Sequence, residues 1–152
     1  MKFSVQREAL LRPLTIVAGA VERRQKMPIL FYMLFKLDGP KLFITGTDLE
    51  VELTAQLAVE NDTQTKGAVT IPARKIVDIC KSLPDDSEIK FTADDNKVVV
   101  QSGRSRFSLA SLPAADFPSV QRDKSSFSVT VPQKEFGELI HKTAFSMAQQ
   151  DV

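Results

Sequence analysis

The chain has 152 residues, of which 43% are hydrophobic and 26% charged, and a formal net charge of +1. This is enough for one well-packed domain with the balance of an ordinary globular protein, and it excludes a disordered or fibrous chain. With so little net charge, any attraction to nucleic acid or membrane must come from uneven placement of positive side chains. The first residues, Met1-Lys2-Phe3-Ser4-Val5, form no signal-peptide core, and no apolar run approaches the roughly 18 residues that span a bilayer. A single cysteine, Cys80, allows neither an intramolecular disulfide nor a CxxC zinc pair, which fits a reducing cytoplasm.

In chain order, the β-prone Phe3-Ser-Val5 leads into residues 7–21, where Leu10, Leu11, Leu14, Val17, Ala18 and Val21 recur at helical spacing. This predicts an amphipathic helix, with Pro13 either kinking it or lying in its first turn. Residues 21–28 are polar, basic and ended by a proline, which predicts a loop carrying Arg23, Arg24 and Lys26. Strands are expected at 29–37 and 41–45 across the Asp38-Gly-Pro40 turn, then at 51–59 with Leu53, Ala55, Leu57 and Val59 on one face.

A strand at 68–71 runs into Pro72, which suits the first turn of a second helix bearing Ile76, Val77, Ile79, Cys80 and Leu83 on its apolar stripe. Strands at 88–93, 97–102 and 105–109 follow, joined by Asp94-Asp-Asn96 and Gly103 turns. The prolines of 112–118 and the polar stretch 119–126 read as a linker. Beyond it Phe127-Ser-Val129 echoes Phe3-Ser-Val5, and Phe136, Leu139, Ile140 and Met147 mark a helical stripe, so a second unit begins. The expected organisation is a first domain at 1–118, a linker at 119–126, and at 127–152 the first strand and helix of a second domain. That helix, without its sheet, is expected to be poorly packed.

Catalysis finds little support. His141 is the only histidine and shares its helix with Glu138 and Lys142, so a solvated position is expected. The acidic pairs Asp48 with Glu50, Asp85 with Asp86, and Asp94 with Asp95 fall at turns or strand ends, where Asp stabilises the turn itself. Cys80 lies on an apolar stripe, and there is no glycine loop for a nucleotide. The positive residues are more informative, because they fall opposite the apolar stripes: Arg12 on the first helix, Arg74, Lys75 and Lys81 on the second, Lys134 and Lys142 on the third. A solvated helix face explains them, and so does a wall that attracts phosphates without reading bases.

Met1-Lys-Phe3, Leu10-Leu11, Met27-Pro-Ile-Leu30, Thr45-Gly-Thr-Asp-Leu-Glu50, Pro72-Ala-Arg-Lys75, Gly103-Arg-Ser-Arg-Phe-Ser-Leu109, Leu112-Pro-Ala-Ala-Asp-Phe-Pro118 and Phe145-Ser-Met-Ala148 stand in order along the whole chain. In these strings the chain resembles the β subunit of bacterial DNA polymerase III, the sliding clamp. The resemblance implies an α+β fold, a DNA-clamp domain of antiparallel sheets with two amphipathic helices on one face. It also implies three such domains per subunit, two subunits closing into a homodimeric ring around duplex DNA, no cofactor and no catalysis.

By position in the motifs, the resemblance carries a DNA contact onto Arg24, with Arg23 and Lys26 as substitutes in a loop that is charged where the family's is glycine-rich. A second falls on Gln150, with Gln149 beside it. Arg12, Arg74 and Lys81 are added from the positive helix faces. The family's subunit contact falls on Lys75, Arg104, Arg106, Phe107 and Leu109, where Phe107 and Leu109 are either an apolar plug against a neighbour or part of the domain's own core. The pocket that holds replicative and repair polymerases and the clamp loader is implied to lie between the second and third domains. The 152-residue chain alone is therefore expected not to close a ring.

Overall fold

The computed structural model describes residues 1–21, 27–61, 66–94, 96–118 and 127–147. The chain divides into two compact units, Met1–Val120 and Gln121–Val152.

In the first unit, strand β1 (Lys2–Gln6) passes directly into helix α1 (Arg7–Val17). Strands β2 (Tyr32–Asp38), β3 (Lys41–Thr47), β4 (Glu52–Ala58) and β5 (Gly67–Pro72) lead to helix α2 (Ala73–Ser82), and β6 (Glu88–Asp94), β7 (Lys97–Ser102) and β8 (Ser105–Ala110) close the unit. The strands form two antiparallel four-stranded sheets, ordered β1-β6-β7-β8 and β4-β3-β2-β5. Period-2 burial in β2 and β6 turns Met33, Phe35 and Leu37, and Ile89, Phe91 and Ala93, into one core. Phe91 joins the two sheets: it stacks on its register partner Phe3 at 4.6 Å and meets Phe35 at 6.1 Å.

Both helices add their apolar stripes to this core, Leu10, Leu14 and Val17 from α1, and Ala73, Ile76, Val77 and Cys80 from α2. Pro13 lies inside α1, beyond its first turn, so its ring denies the Ala9 carbonyl its usual donor. The helix predicted to reach Val21 stops at Val17 and tightens into a 3-10 turn over Ala18–Ala20, around the helix-weakening Gly19. Here α1 touches β3: a Cβ on Gly46 would stand 2.8 Å from Val17 Cγ1 and 3.0 Å from the Val17 carbonyl oxygen.

Three other expectations are corrected. Residues 28–31 are a 3-10 turn rather than the start of a strand. Ile29 and Leu30 are both buried, which adjacent residues of a strand facing one core cannot achieve. The prolines of 112–118, read with 119–126 as a linker, instead flank packed chain inside the expected 1–118 bounds: Phe117 is buried with Ile29 and Leu30 in a small second core, and the Thr70 hydroxyl donates to the Leu112 carbonyl at 2.7 Å and accepts from its N–H at 2.8 Å. Pro72 ends β5 and caps α2 instead of lying in its first turn.

The second unit contains helix α3 (Gln133–Thr143) and a 3-10 turn at Ala144–Ser146. The strand predicted at Phe127-Ser-Val129 does not form, since a lone strand has nothing within this unit to bond to. All its described residues are exposed, including the predicted stripe Phe136, Leu139, Ile140 and Met147.

Gly46→Ala is expected to destabilise the first unit by about 1–3 kcal/mol through overpacking against Val17. Gly19→Ala, which has open space around it, should shift stability by less than about 1 kcal/mol. Urea midpoints of the two variants check the contrast.

Candidate nucleic-acid interface

With their apolar stripes turned inward, α1 and α2 present Glu8, Arg12, Thr15, Ile16 and Gly19, and Arg74, Lys75, Asp78 and Lys81, on their exposed sides. The i, i+4, i+7 spacing of Arg74, Asp78 and Lys81 sets these three along one side of α2. The two helices pack against each other. They run antiparallel, because the first residue of α1 meets the end of α2, whereas Ala18 and Gly19 share a groove with Ala73 and Arg74.

Arg7 fastens the first of these ends. Its side chain is only 13% exposed, and Nε donates to the Cys80 carbonyl at 2.8 Å, one of the last carbonyls of α2 that helical geometry leaves without a partner. Its Nη1 reaches Asp85 Oδ1 at 2.6 Å and Glu8 Oε1 at 3.1 Å. The Asp86 N–H donates to the same Glu8 oxygen at 3.1 Å, and the Arg7 N–H donates to the Ser87 carbonyl at 2.9 Å. Glu8's own backbone N–H, then that of Asp86, and lastly the charge of Arg7 hold its carboxyl below the usual range. Beneath this latch, burial pushes the Cys80 thiol up to about 12, so it is a packed neutral group and not a nucleophile.

At the other end, the helices and Phe31 border a groove of about 550 Å³. The neighbouring Thr45-Gly-Thr-Asp-Leu-Glu50 string is a shaped turn. Asp48 Oδ1 accepts the N–H groups of Val51 at 2.7 Å and Glu50 at 3.0 Å, which lower its pKa in that order, and Leu49 is held at φ 80. Asp48 therefore has the turn role expected of it. Asp85 is engaged by Arg7, Asp94 closes β6 opposite Lys97, and Asp95 lies outside the described residues.

Of the predicted DNA-contacting residues, Arg12, Arg74 and Lys81 lie exposed on the helix pair. Arg23, Arg24, Lys26, Gln149 and Gln150 lie outside the described residues. Lys75 is exposed on α2, and Arg104 and Arg106 are exposed at and after the β7–β8 turn. β8 is one of the two outer strands of its sheet. Phe107 and Leu109 alternate with exposed neighbours, and both are half-buried against the main core. His141 is exposed on α3.

Sequence reasoning missed the Arg7 latch, whose partners Cys80 and Asp85 lie more than seventy positions away. It also missed Phe31, read as a strand residue. An arginine at the first position of a helix is the one local signal for the latch.

Residues 1–121 match the family described as DNA polymerase III beta subunit, N-terminal domain. The chain belongs to that family. It is 50% identical over 152 residues to the beta sliding clamp of Pseudomonas putida and 47% identical to that of Escherichia coli, in each case over the whole chain and 41% of the relative. A Vibrio harveyi beta sliding clamp sequence is 47% identical over 146 residues, which are 96% of this chain and all of the relative. A solved sliding clamp from Pseudomonas aeruginosa superposes with TM-score 0.92 at 50% identity, over all of this chain and 41% of that one. Caulobacter crescentus pol III beta gives 0.92 at 37%, over all of this chain and 40% of that one. The chain thus spans about two-fifths of most of these clamps, with the α+β clamp-domain fold.

Because its carboxyl is held below the unfolded value, Glu8 adds stability that is complete above the ordinary carboxylate range and is lost as pH falls through the lowered value. Glu8→Gln is expected to flatten the acid side of a stability–pH profile. Arg7→Ala should cost about 1–3 kcal/mol by unpairing the Cys80 carbonyl, and Arg7→Lys should recover only part, since an ammonium cannot hold three acceptors in a planar fork. Urea titration across pH measures both.

Proposed function

We propose that this chain is the first domain, with the opening of the second, of a bacterial sliding clamp that encircles duplex DNA and tethers the replicative polymerase. The observation that carries this reading is the α1–α2 surface: two antiparallel helices with Arg12, Arg74 and Lys81 directed outward, on a chain of the clamp family. Cations on stiff helices meet phosphates without reading base edges, which is what sliding requires. On this reading Arg23, Arg24, Lys26, Gln149 and Gln150 add contacts to DNA.

The remaining assignments follow from the same reading. The domains are 1–118 and 127–152, joined by 119–126. Lys75, Arg104, Arg106, Phe107 and Leu109 meet a second subunit through the open edge of β8, closing a homodimeric ring. Replicative and repair polymerases and the clamp loader bind elsewhere on the full-length protein, which acts in the cytoplasm without a cofactor or a catalytic step. Sheet-edge pairing supports the subunit contact, because β8 pairs with β7 alone among the described residues.

Duplex binding should weaken as salt rises, with little dependence on sequence. Replacing Arg12, Arg74 and Lys81 together by Ala should lower the slope of log affinity against log salt by about 0.9 for each phosphate contact removed. Replacing Lys36, Lys41 and Lys97, exposed on the strands, should leave the slope nearly unchanged. Fluorescence anisotropy across salt concentrations reads both, and an affinity indifferent to salt would falsify the assignment.

A further inference from the structure

The groove at the open end of the helix pair has a composition that duplex DNA does not explain. Its apolar lining comes from Ala18, Gly19, Val21, Ala73 and Val77, together with Phe31, which keeps 39% of its surface exposed. Arg74 and Lys81 line it against a single carboxylate, Asp78. Thr15 joins it to a shallower depression holding Arg12 and Ile16, the latter 55% exposed.

A duplex keeps its base faces stacked inside, so an aromatic ring has no π-face of it to stack on. An unpaired nucleotide has a bare π-face and, one bond system away, a phosphate. Those two chemistries are what Phe31 and Arg74 complement, and a volume of about 550 Å³ accommodates one base and its sugar.

We propose that this groove seats an unpaired nucleotide of a DNA strand, its base against Phe31 and Val77 and its phosphate on Arg74. The proposal rests on the DNA-facing reading of the helix pair and adds to it a preference for strand ends and gaps, where unpaired bases are available.

The test is titration of the 152-residue chain with a short oligothymidine and, separately, with a blunt duplex of equal phosphate number. Methyl NMR signals of Ala18, Ala73 and Val77 report on the groove. The oligothymidine is expected to shift these methyls, and Phe31→Ala should weaken its binding about tenfold or more. Phe31→Leu, which keeps the side chain's bulk in place, should weaken it nearly as much, and neither change should alter duplex binding. If both ligands bind but the groove methyls stay still, or if the Phe31 variants bind the oligonucleotide normally, the nucleotide site is wrong while the duplex reading stands. If neither ligand binds, both readings fall. Oligonucleotide-silent methyls that move with an acidic peptide bearing an aromatic residue would overturn the proposal in favour of a protein partner.

Discussion

The helical face depends on how closely α1 can lie on β3. At Gly46 the strand has no side chain, and Val17 occupies the space a Cβ would need. This contact sets the height of the C-terminal end of α1 above the sheet, and Arg7 sets its other end by gripping the last turn of α2. Between the two points the apolar stripes of both helices enter one core with strands of both sheets. The positions of Arg12, Arg74 and Lys81 relative to one another follow from these constraints.

The two fastenings differ in physical character, and that difference matters for the surface they support. The Gly46 contact is steric and insensitive to solvent conditions. The Arg7 latch is electrostatic, but its two helix-end hydrogen bonds, from Arg7 Nε to Cys80 and from the Arg7 N–H to Ser87, do not depend on any carboxylate being ionised. Protonating Glu8 therefore loosens the latch without opening it. At the far end no ionic tie closes the helices among the described residues, and the groove lies there. A surface latched at one end and open at the other can carry both a flat row of cations and a recess.

Much of this was legible in the sequence because periodicity reports which face is buried. The stripes of α1 and α2, the alternation in β4 and the Asp38-Gly-Pro40 turn, where Gly39 takes φ 57, all appear where patterning puts them. What failed to show is long-range. Ile29 and Leu30 look β-prone, and only the arrival of Phe117 from far along the chain makes a 3-10 turn the better way to bury both. Thr70 carries no local signal that its hydroxyl will fasten Leu112. Phe127-Ser-Val129 has the composition of a strand without the partner a strand needs. The cations were legible individually, since they oppose the apolar stripes, but their arrangement depends on Arg7, whose partners no local window contains.

On the proposed function the α1–α2 face, and not the sheets, meets DNA. Photo-crosslinking residues placed one at a time at Arg12, Lys81, Lys41 and Lys97, with a mixed-sequence duplex at low salt, test it most directly. Adducts are expected from the two helix positions and almost none from the two strand positions. Equal yields at all four sites, or adducts confined to Lys41 and Lys97, would contradict it.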